Sequence, residues 1–306
     1  MAYPKQPGQP TYSGVFIPEI WSTKMIEKYY DGTVLSEISN TDYEGEISSQ
    51  GDKVIIRTHP TLEIHDYEIG QNLINQRPVG GKIELLIDKG FYWSTIIDDV
   101  VEKQQDIDQM NDWATDASEQ MKIKLDTRVL GSIVPDIHAD NVGTTAGRIS
   151  GNLNLGTTGS PVSITKANIL DHILYMGQAL DEQNAPETGR FVILPYWATT
   201  LLKLSDLKDA SLTGDGTSPL RNGRVGMIDR FTVYNSNLLP NYVDGADNTF
   251  HMIVGTKDGL TFATQLTKTE SLRAESTFGD IMRGLMVYGH KVVKPEALTA
   301  SYVKKG

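Results

Sequence analysis

Met110-Asn111-Asp112-Trp113-Ala114-Thr115-Asp116-Ala117-Ser118-Glu119-Gln120-Met121-Lys122-Ile123-Lys124-Leu125-Asp126-Thr127-Arg128-Val129 is the stretch on which the reading of the fold turns. With Val101 ahead of them, Met110, Trp113, Ala114, Ala117, Met121, Leu125 and Val129 recur largely at three- and four-residue steps. Asp106, Asp108, Asp112, Asp116, Glu119, Lys122, Lys124 and Asp126 fill the other positions. That spacing predicts one amphipathic helix from about Val101 to Val129, with the carboxylates on a solvated face and Trp113 in the core. About 30 residues of helix extend roughly 45 Å, more than a small core needs. Pro135 and the Gly/Thr/Asn-rich run Asn141–Pro161 end it.

Upstream the pattern changes. Val54–Thr58 and Ile83–Asp88 alternate as strands, and between them runs Thr61–Val79, long, polar and punctuated by Gly70 and Pro78. An excursion of that length is either a mobile surface hairpin or a reach toward a partner. The first dozen residues hold three prolines and predict an extended arm. After it, Ile20, Met25, Ile26 and Tyr29 can share the face of a short helix with Pro18 in its first turn. Downstream, a helix is expected over Thr165–Asp181, a buried strand at Phe191–Leu194, a helix over Trp197–Leu207 and a polar loop over Ser205–Arg224. Strands follow at Val225–Tyr234, Phe250–Gly255 and Leu260–Leu266, with a last pair at Thr267–Leu272 and Gly284–Val293. Mixed elements in this order make an α+β chain.

Composition narrows the function by exclusion. The 306 residues carry 28 Lys+Arg against 39 Asp+Glu, a formal net charge of -11, which argues against a broad basic face for nucleic acid. Zero cysteines remove disulfides, thiolate nucleophiles and zinc–thiolate sites, and fit a reducing compartment. No apolar run approaches a membrane span and the start lacks a secretory core, so a soluble, intracellular product with no membrane partner is expected.

Catalytic signatures fail one by one. Gly151–Thr158 has the glycines of a phosphate-binding loop, but Thr157 stands where the lysine belongs. No G-x-S-x-G or H-E-x-x-H string occurs. His59 and His65 would share a strand face, yet Pro60 intervenes and no third ligand is near in sequence. The aspartates at 106, 108, 112 and 116 lack the EF-hand pattern. The expectation is no catalytic residue, no metal and no cofactor.

Three further segments carry a resemblance. Gly189-Arg190-Phe191-Val192-Ile193-Leu194-Pro195, the run Gly223–Pro240 centred on Asp229-Arg230-Phe231-Thr232-Val233-Tyr234, and the closing Arg283–Leu298 stand in order behind the arm, the excursion and the long helix. In that order the chain resembles the major capsid proteins of tailed double-stranded DNA bacteriophages, the Hong Kong 97-type fold. The resemblance implies an N-terminal arm over 1–46, an extended β-hairpin loop over 47–93 lying across a neighbour, and a peripheral domain with its spine helix over 94–164. An axial domain over 165–261, a peripheral strand pair over 262–293 and a C-terminal segment over 294–306 complete it.

It also implies self-assembly into hexamers and pentamers of an icosahedral virion head enclosing double-stranded DNA that the shell holds only weakly. Assembly would take place in the host cytoplasm, with a scaffolding protein and a portal as partners and a decoration protein as a possible third. Candidate inter-subunit contacts are Tyr67, Ile69, Asn72, Leu73, Arg77, Asp112, Asp116 and Arg221. Some relatives crosslink an extended-loop lysine to a neighbour's asparagine, for which Lys53, Lys82 and Lys89 are candidate donors. Two alternatives stay open: an encapsulin-like cellular compartment shell, and a carboxylate-dependent hydrolase.

Overall fold

The computed structural model describes residues 30–43, 53–104, 109–205 and 227–306. Its centre is a mixed seven-stranded sheet in the order β4-β12-β9-β5-β7-β6, with β8 pairing with β9. The strands are β4 (Val162–Ile164), β5 (Arg190–Leu194), β6 (Met227–Ile228), β7 (Phe231–Asn235), β8 (Asn241–Asp244), β9 (Asp247–Thr256) and β12 (Leu298–Lys305). β5 runs parallel to β7 and antiparallel to β9, and all five of its residues are buried. Cover on both faces is why Phe191–Leu194 reads as an unbroken apolar run instead of an alternating one.

One face packs against α4 (Ile169–Glu182) and α5 (Tyr196–Leu204), where Ile173, Met176, Leu180 and Leu202 meet Val192, Leu194, Met252, Val254 and Val303. The other packs against α1 (Leu35–Ile38) and the C-terminal part of α3 (Gln109–Ser132), through Leu125, Val129, Leu130 and Ile133 on Phe191, Ile193, Ile253 and Leu298. A second, three-stranded sheet, β10-β11-β3, joins that same core through Phe91, Phe262, Tyr288 and Val292. It is built from β3 (Lys89–Asp98), β10 (Leu260–Arg273) and β11 (Gly279–Val292). A two-stranded hairpin of β1 (Lys53–Arg57) and β2 (Lys82–Leu86) seats Val54, Ile56 and Leu85 near Ala263 and Val287 of this sheet.

The long helix differs from its sequence reading in two ways. Helix is present over α2 (Asp99–Gln104) and again over α3, with residues 105–108 outside the described set. Its apolar stripe is not the buried face along its whole length. Trp113 is 37% and Val101 47% exposed, whereas Asp126, expected on the solvated face, is 2% exposed. The reason is position: only the last third of α3 lies over the core, and the face it buries, Leu125, Asp126, Val129 and Leu130, continued by Ile133 just after the helix, is rotated from the Met110–Trp113–Ala117 stripe.

Smaller differences follow from caps and bulges. α4 begins at Ile169, because Asn168 Oδ1 accepts from the Thr165 N–H and holds residues 165–168 as a turn. The two strand segments expected at 260–272 are one strand with a register shift between Thr264 and Leu266. β3, β4, β8 and β12 were not anticipated as strands. The arm helix expected over residues 18–29 lies outside the described residues, as does the loop over 206–224.

Candidate functional site

No helix among the described residues is long and apolar enough to cross a membrane, and no cluster of His, Asp and Glu among them has metal-binding geometry. The most reactive-looking pair is His172 Nε2 and Ser301 Oγ at 2.5 Å, but both residues are buried. Burial pushes the His172 imidazole down to about 4, so it stays neutral inside the fold. Gly151–Thr158 forms a loop with φ +58 at Gly151 and +82 at Gly156, the latter packed against the Tyr302 backbone. The two residues just before it are held by Glu182, whose Oε2 accepts from the Ile149 and Ser150 N–H groups at 2.8 and 3.0 Å. Desolvation opposes the charge there, but these bonds and one from Gln178 outweigh it and hold the carboxyl down at about 2.

The excursion between β1 and β2 has a different character. The ladder ends at Arg57–Lys82, and Thr58 N–H donates to Gly81 O at 3.0 Å just beyond it. From there to the tip no strand pairing occurs. A side chain substitutes for it: Gln76 Oε1 accepts from the Glu63 N–H at 3.1 Å while its Nε2 donates to Glu63 O at 2.8 Å. The same amide nitrogen lies 2.9 Å from His65 Nε2, which accepts if His65 carries its proton on Nδ1. At the tip Gln71 N–H donates to Glu68 O, Glu68 N–H donates to Gln71 Oε1, and Gly70 takes φ +91. A turn with positive φ at its third position is one that glycine makes without strain.

These rungs present apolar groups outward. Ile69 is 100% and Ile64 91% exposed, and Leu62, Tyr67, Leu73, Ile74 and Val79 are exposed too. So large a set of open aliphatic side chains on one projecting element marks an interaction surface. A second apolar patch lies on the three-stranded sheet, where Tyr92 is 82% exposed beside Leu285, its register partner, and Ile96. Its rim is charged: Glu270 pairs with Lys268 at 2.7 Å and with Arg283.

Of the sequence-derived contact candidates, Tyr67, Ile69, Asn72, Leu73 and Arg77 share the projecting loop and are all exposed. Asp112 and Asp116 sit one turn apart on α3, Asp112 exposed and Asp116 half-buried, accepting from Tyr30 Oη at 3.0 Å. Arg221 lies outside the described residues. His59 and His65 are exposed on the loop, with His65 engaged by Gln76. Lys53 and Lys82 both pair with Glu84, and Lys89 with Asp88. Sequence reasoning missed Gln76, since an amide that replaces a β-bridge has no local signature, and the aliphatic residues at 62, 64 and 74, which read as part of a polar segment.

Comparison with known proteins gives these surfaces a context. Residues 92–301 match the family model described as phage capsid protein. A solved chain from Mycobacterium phage Che8 is similar at TM-score 0.78 and 25% identity, covering 95% of this chain and 98% of that one. The capsid structure of the cyanophage P-SCSP1u is similar at TM-score 0.72 and 15% identity, over 95% and 94%. The cyanophage Pam1 capsid is similar at TM-score 0.69 and 11% identity, over 97% and 99%. No curated protein sequence matches.

Proposed function

Because the chain belongs to the phage capsid protein family and is a major capsid protein of the phage head shell, we propose that it assembles through the loop between β1 and β2, laid across the neighbouring subunit. The observation that carries this is the outward set Leu62, Ile64, Tyr67, Ile69, Leu73, Ile74 and Val79 on a loop stiffened by Gln76. Its role is structural and not enzymatic.

The loop and the surface that receives it are different parts of one chain, so the contact is head-to-tail. Head-to-tail contacts close into rings, here hexamers and pentamers. Tyr67, Ile69, Asn72, Leu73 and Arg77 are the contact residues on the loop side, with Asp112, Asp116 and Arg221 as candidates elsewhere. In this reading residues 1–46 are the arm and 47–93 the extended loop. Residues 94–164 with 262–293 form the peripheral domain, 165–261 the axial domain and 294–306 the closing segment. A scaffolding protein, a portal and a decoration protein are the partners such a shell would use. A net charge of -11 suits a wall that holds packaged double-stranded DNA only weakly.

Deleting Thr61–Val79 and joining the hairpin with a short turn tests the assignment. The expected product is a folded subunit with native circular dichroism that yields no stable shells by electron microscopy, with or without a co-expressed assembly factor. Particle yield equal to that of the intact chain would refute it.

A further inference from the structure

The glycine-bearing loop that lacks a phosphate-binding lysine still lines a cleft. Between its residues 152–154 and one face of α4 lies an open cleft of about 630 Å³, within the roughly 300–1,000 Å³ of small-ligand sites. Helical spacing sets the α4 wall: Asp171, Tyr175 and Gln178 follow one another at four- and three-residue steps and so share one face. The fold fixes the loop wall. Ala146 and Leu153 exchange backbone bonds at 2.9 and 3.0 Å, Leu155 N–H donates to Gly143 O, and Tyr302 N–H of β12 donates to Leu155 O. Leu153 and Leu155 are buried by this pairing, while Asn152 and Asn154 stay exposed.

The polar side chains of the cleft keep hydrogen-bonding capacity in reserve. Asn154 Oδ1 accepts from the Gly156 N–H at 3.0 Å, which leaves its Nδ2 to donate. Gln178 Nε2 donates to Glu182 Oε1 at 2.9 Å, which leaves its Oε1 to accept. The Asn152 amide, the Asp171 carboxylate and the Tyr175 hydroxyl take no hydrogen-bond partner among the described residues. The Tyr175 side chain is 47% exposed, and beside it His172 closes the floor, with Nε2 engaged by Ser301 and the ring neutral.

This lining selects a ligand by exclusion. No lysine or arginine lines the cleft among the described residues, so a phosphate or carboxylate finds no counter-charge there. An apolar ligand would leave the amides and the carboxylate unpaired. A sugar satisfies both demands: its hydroxyls donate to a carboxylate or amide oxygen and accept from an amide N–H, and the C–H face of its ring packs on an aromatic face.

We propose that this cleft binds a neutral saccharide, with Asp171, Asn154 and Gln178 taking its hydroxyls and Tyr175 taking a ring face. None of these residues belongs to the loop between β1 and β2, so sugar binding is independent of that loop's part in assembly.

Saturation-transfer NMR on the full unassembled chain tests this. The probes are glucose, galactose, mannose and N-acetylglucosamine, each as the monosaccharide and as a linear tetrasaccharide, with glucuronate as the anionic control. The expected result is transfer to the ring protons of at least one neutral sugar and none to glucuronate. Tighter binding of the tetrasaccharide supports a glycan chain as the source, and equal binding supports a free sugar. Tyr175→Ala and Asp171→Ala should each weaken binding roughly tenfold. Tyr196→Ala, which removes a 48% exposed tyrosine from α5, should leave it unchanged. Tyr175 and Asp171 are both exposed, so a urea midpoint equal to the parent's shows that a contact was lost and not the fold. No transfer to any neutral sugar, equal transfer to glucuronate, or undiminished binding in either cleft variant would overturn the proposal.

Discussion

Replacing Asp126 separates the two things a buried carboxylate does. Its Oδ2 accepts from the Val34 N–H at 2.5 Å and the Leu35 N–H at 3.2 Å, tying α1 to α3 inside the core. Asp126→Ala leaves two buried donors without an acceptor. At about 1–3 kcal/mol for each, the loss is about 2–6 kcal/mol. Asp126→Asn keeps a carbonyl oxygen in place and removes the charge. Burial raises the Asp126 carboxyl above its ordinary range against the pull of the two backbone bonds, so the charge itself is a cost in the fold. The asparagine variant should accordingly stay within about 1 kcal/mol of the parent at pH 7.

The pH dependence has a definite sign. With its folded value above the unfolded one, Asp126 is least favourable when ionised in both states. Its contribution improves as pH falls through the folded value toward 3.8 and is constant below that. The urea midpoint of the unassembled subunit reads the global effect, and amide exchange at Leu35–Ser39 reads the local one. An asparagine variant as unstable as the alanine variant would refute the argument, because it would show that the charge, not the acceptor, holds α1. An alanine variant within 1 kcal/mol of the parent would show that the two bonds contribute little.

Two further outcomes follow from other buried contacts. His172 titrates near 4 in the fold against 6.5 in a free chain, so the unfolded state takes up its proton first, and about 3 kcal/mol of stability is lost as pH falls from about 6.5 to 4. His172→Gln should flatten that part of the urea-midpoint profile, and an unchanged slope would count against it. Gly156→Ala must accept φ +82 and place its methyl against the backbone of Tyr302, which cannot swing aside. A loss of about 2–4 kcal/mol is expected by thermal or urea unfolding, and a neutral result would show that the loop moves freely there.

Much of the architecture was legible where a single physical rule governed a segment. β5 could be read because a strand covered on both faces is simply apolar, and β1 and β2 because each is a short apolar run rich in β-branched residues and bounded by turn residues. β12 shows where that rule ends. Its first six residues are all buried, yet Thr299 and Ser301 stand among them, Ser301 satisfied by His172 from α4. A polar residue buried by a partner 129 positions away reads locally as a surface tail. β3 was hidden for the opposite reason, since Tyr92 and Ile96 are open to solvent while Phe91 and Ile97 are buried, so apolar groups occupy both faces. α3 misled through its length: the periodicity was real, but only tertiary contact decides which third of a long helix meets the core. The loop candidates were approached through family likeness, whereas the side chain that organises them, Gln76, acts through a rung that only the folded backbone creates.

In the assembly proposed above, with the loop laid across a neighbour, that rung bears on how a shell of many copies can be both correct and stable. A 24-residue excursion without a strand ladder would lose about 1–2 kcal/mol of backbone entropy for each residue it orders on docking, which would consume most of what its aliphatic side chains could return. Gln76 bridging to Glu63, the Glu68–Gln71 turn and the Thr58–Gly81 bond fix the loop at three heights before any neighbour arrives. Part of the ordering cost is thereby met during folding of the subunit, where the cores beneath the seven-stranded sheet supply the driving force. Each docking event can then remain individually weak, weak enough for a misplaced subunit to leave, while the many contacts of a closed shell hold together. A loop fixed by backbone pairing alone would be a long open strand edge, prone to join copies in the wrong register. Side-chain rungs stiffen the projection without extending the paired ladder of β1 and β2 to its tip.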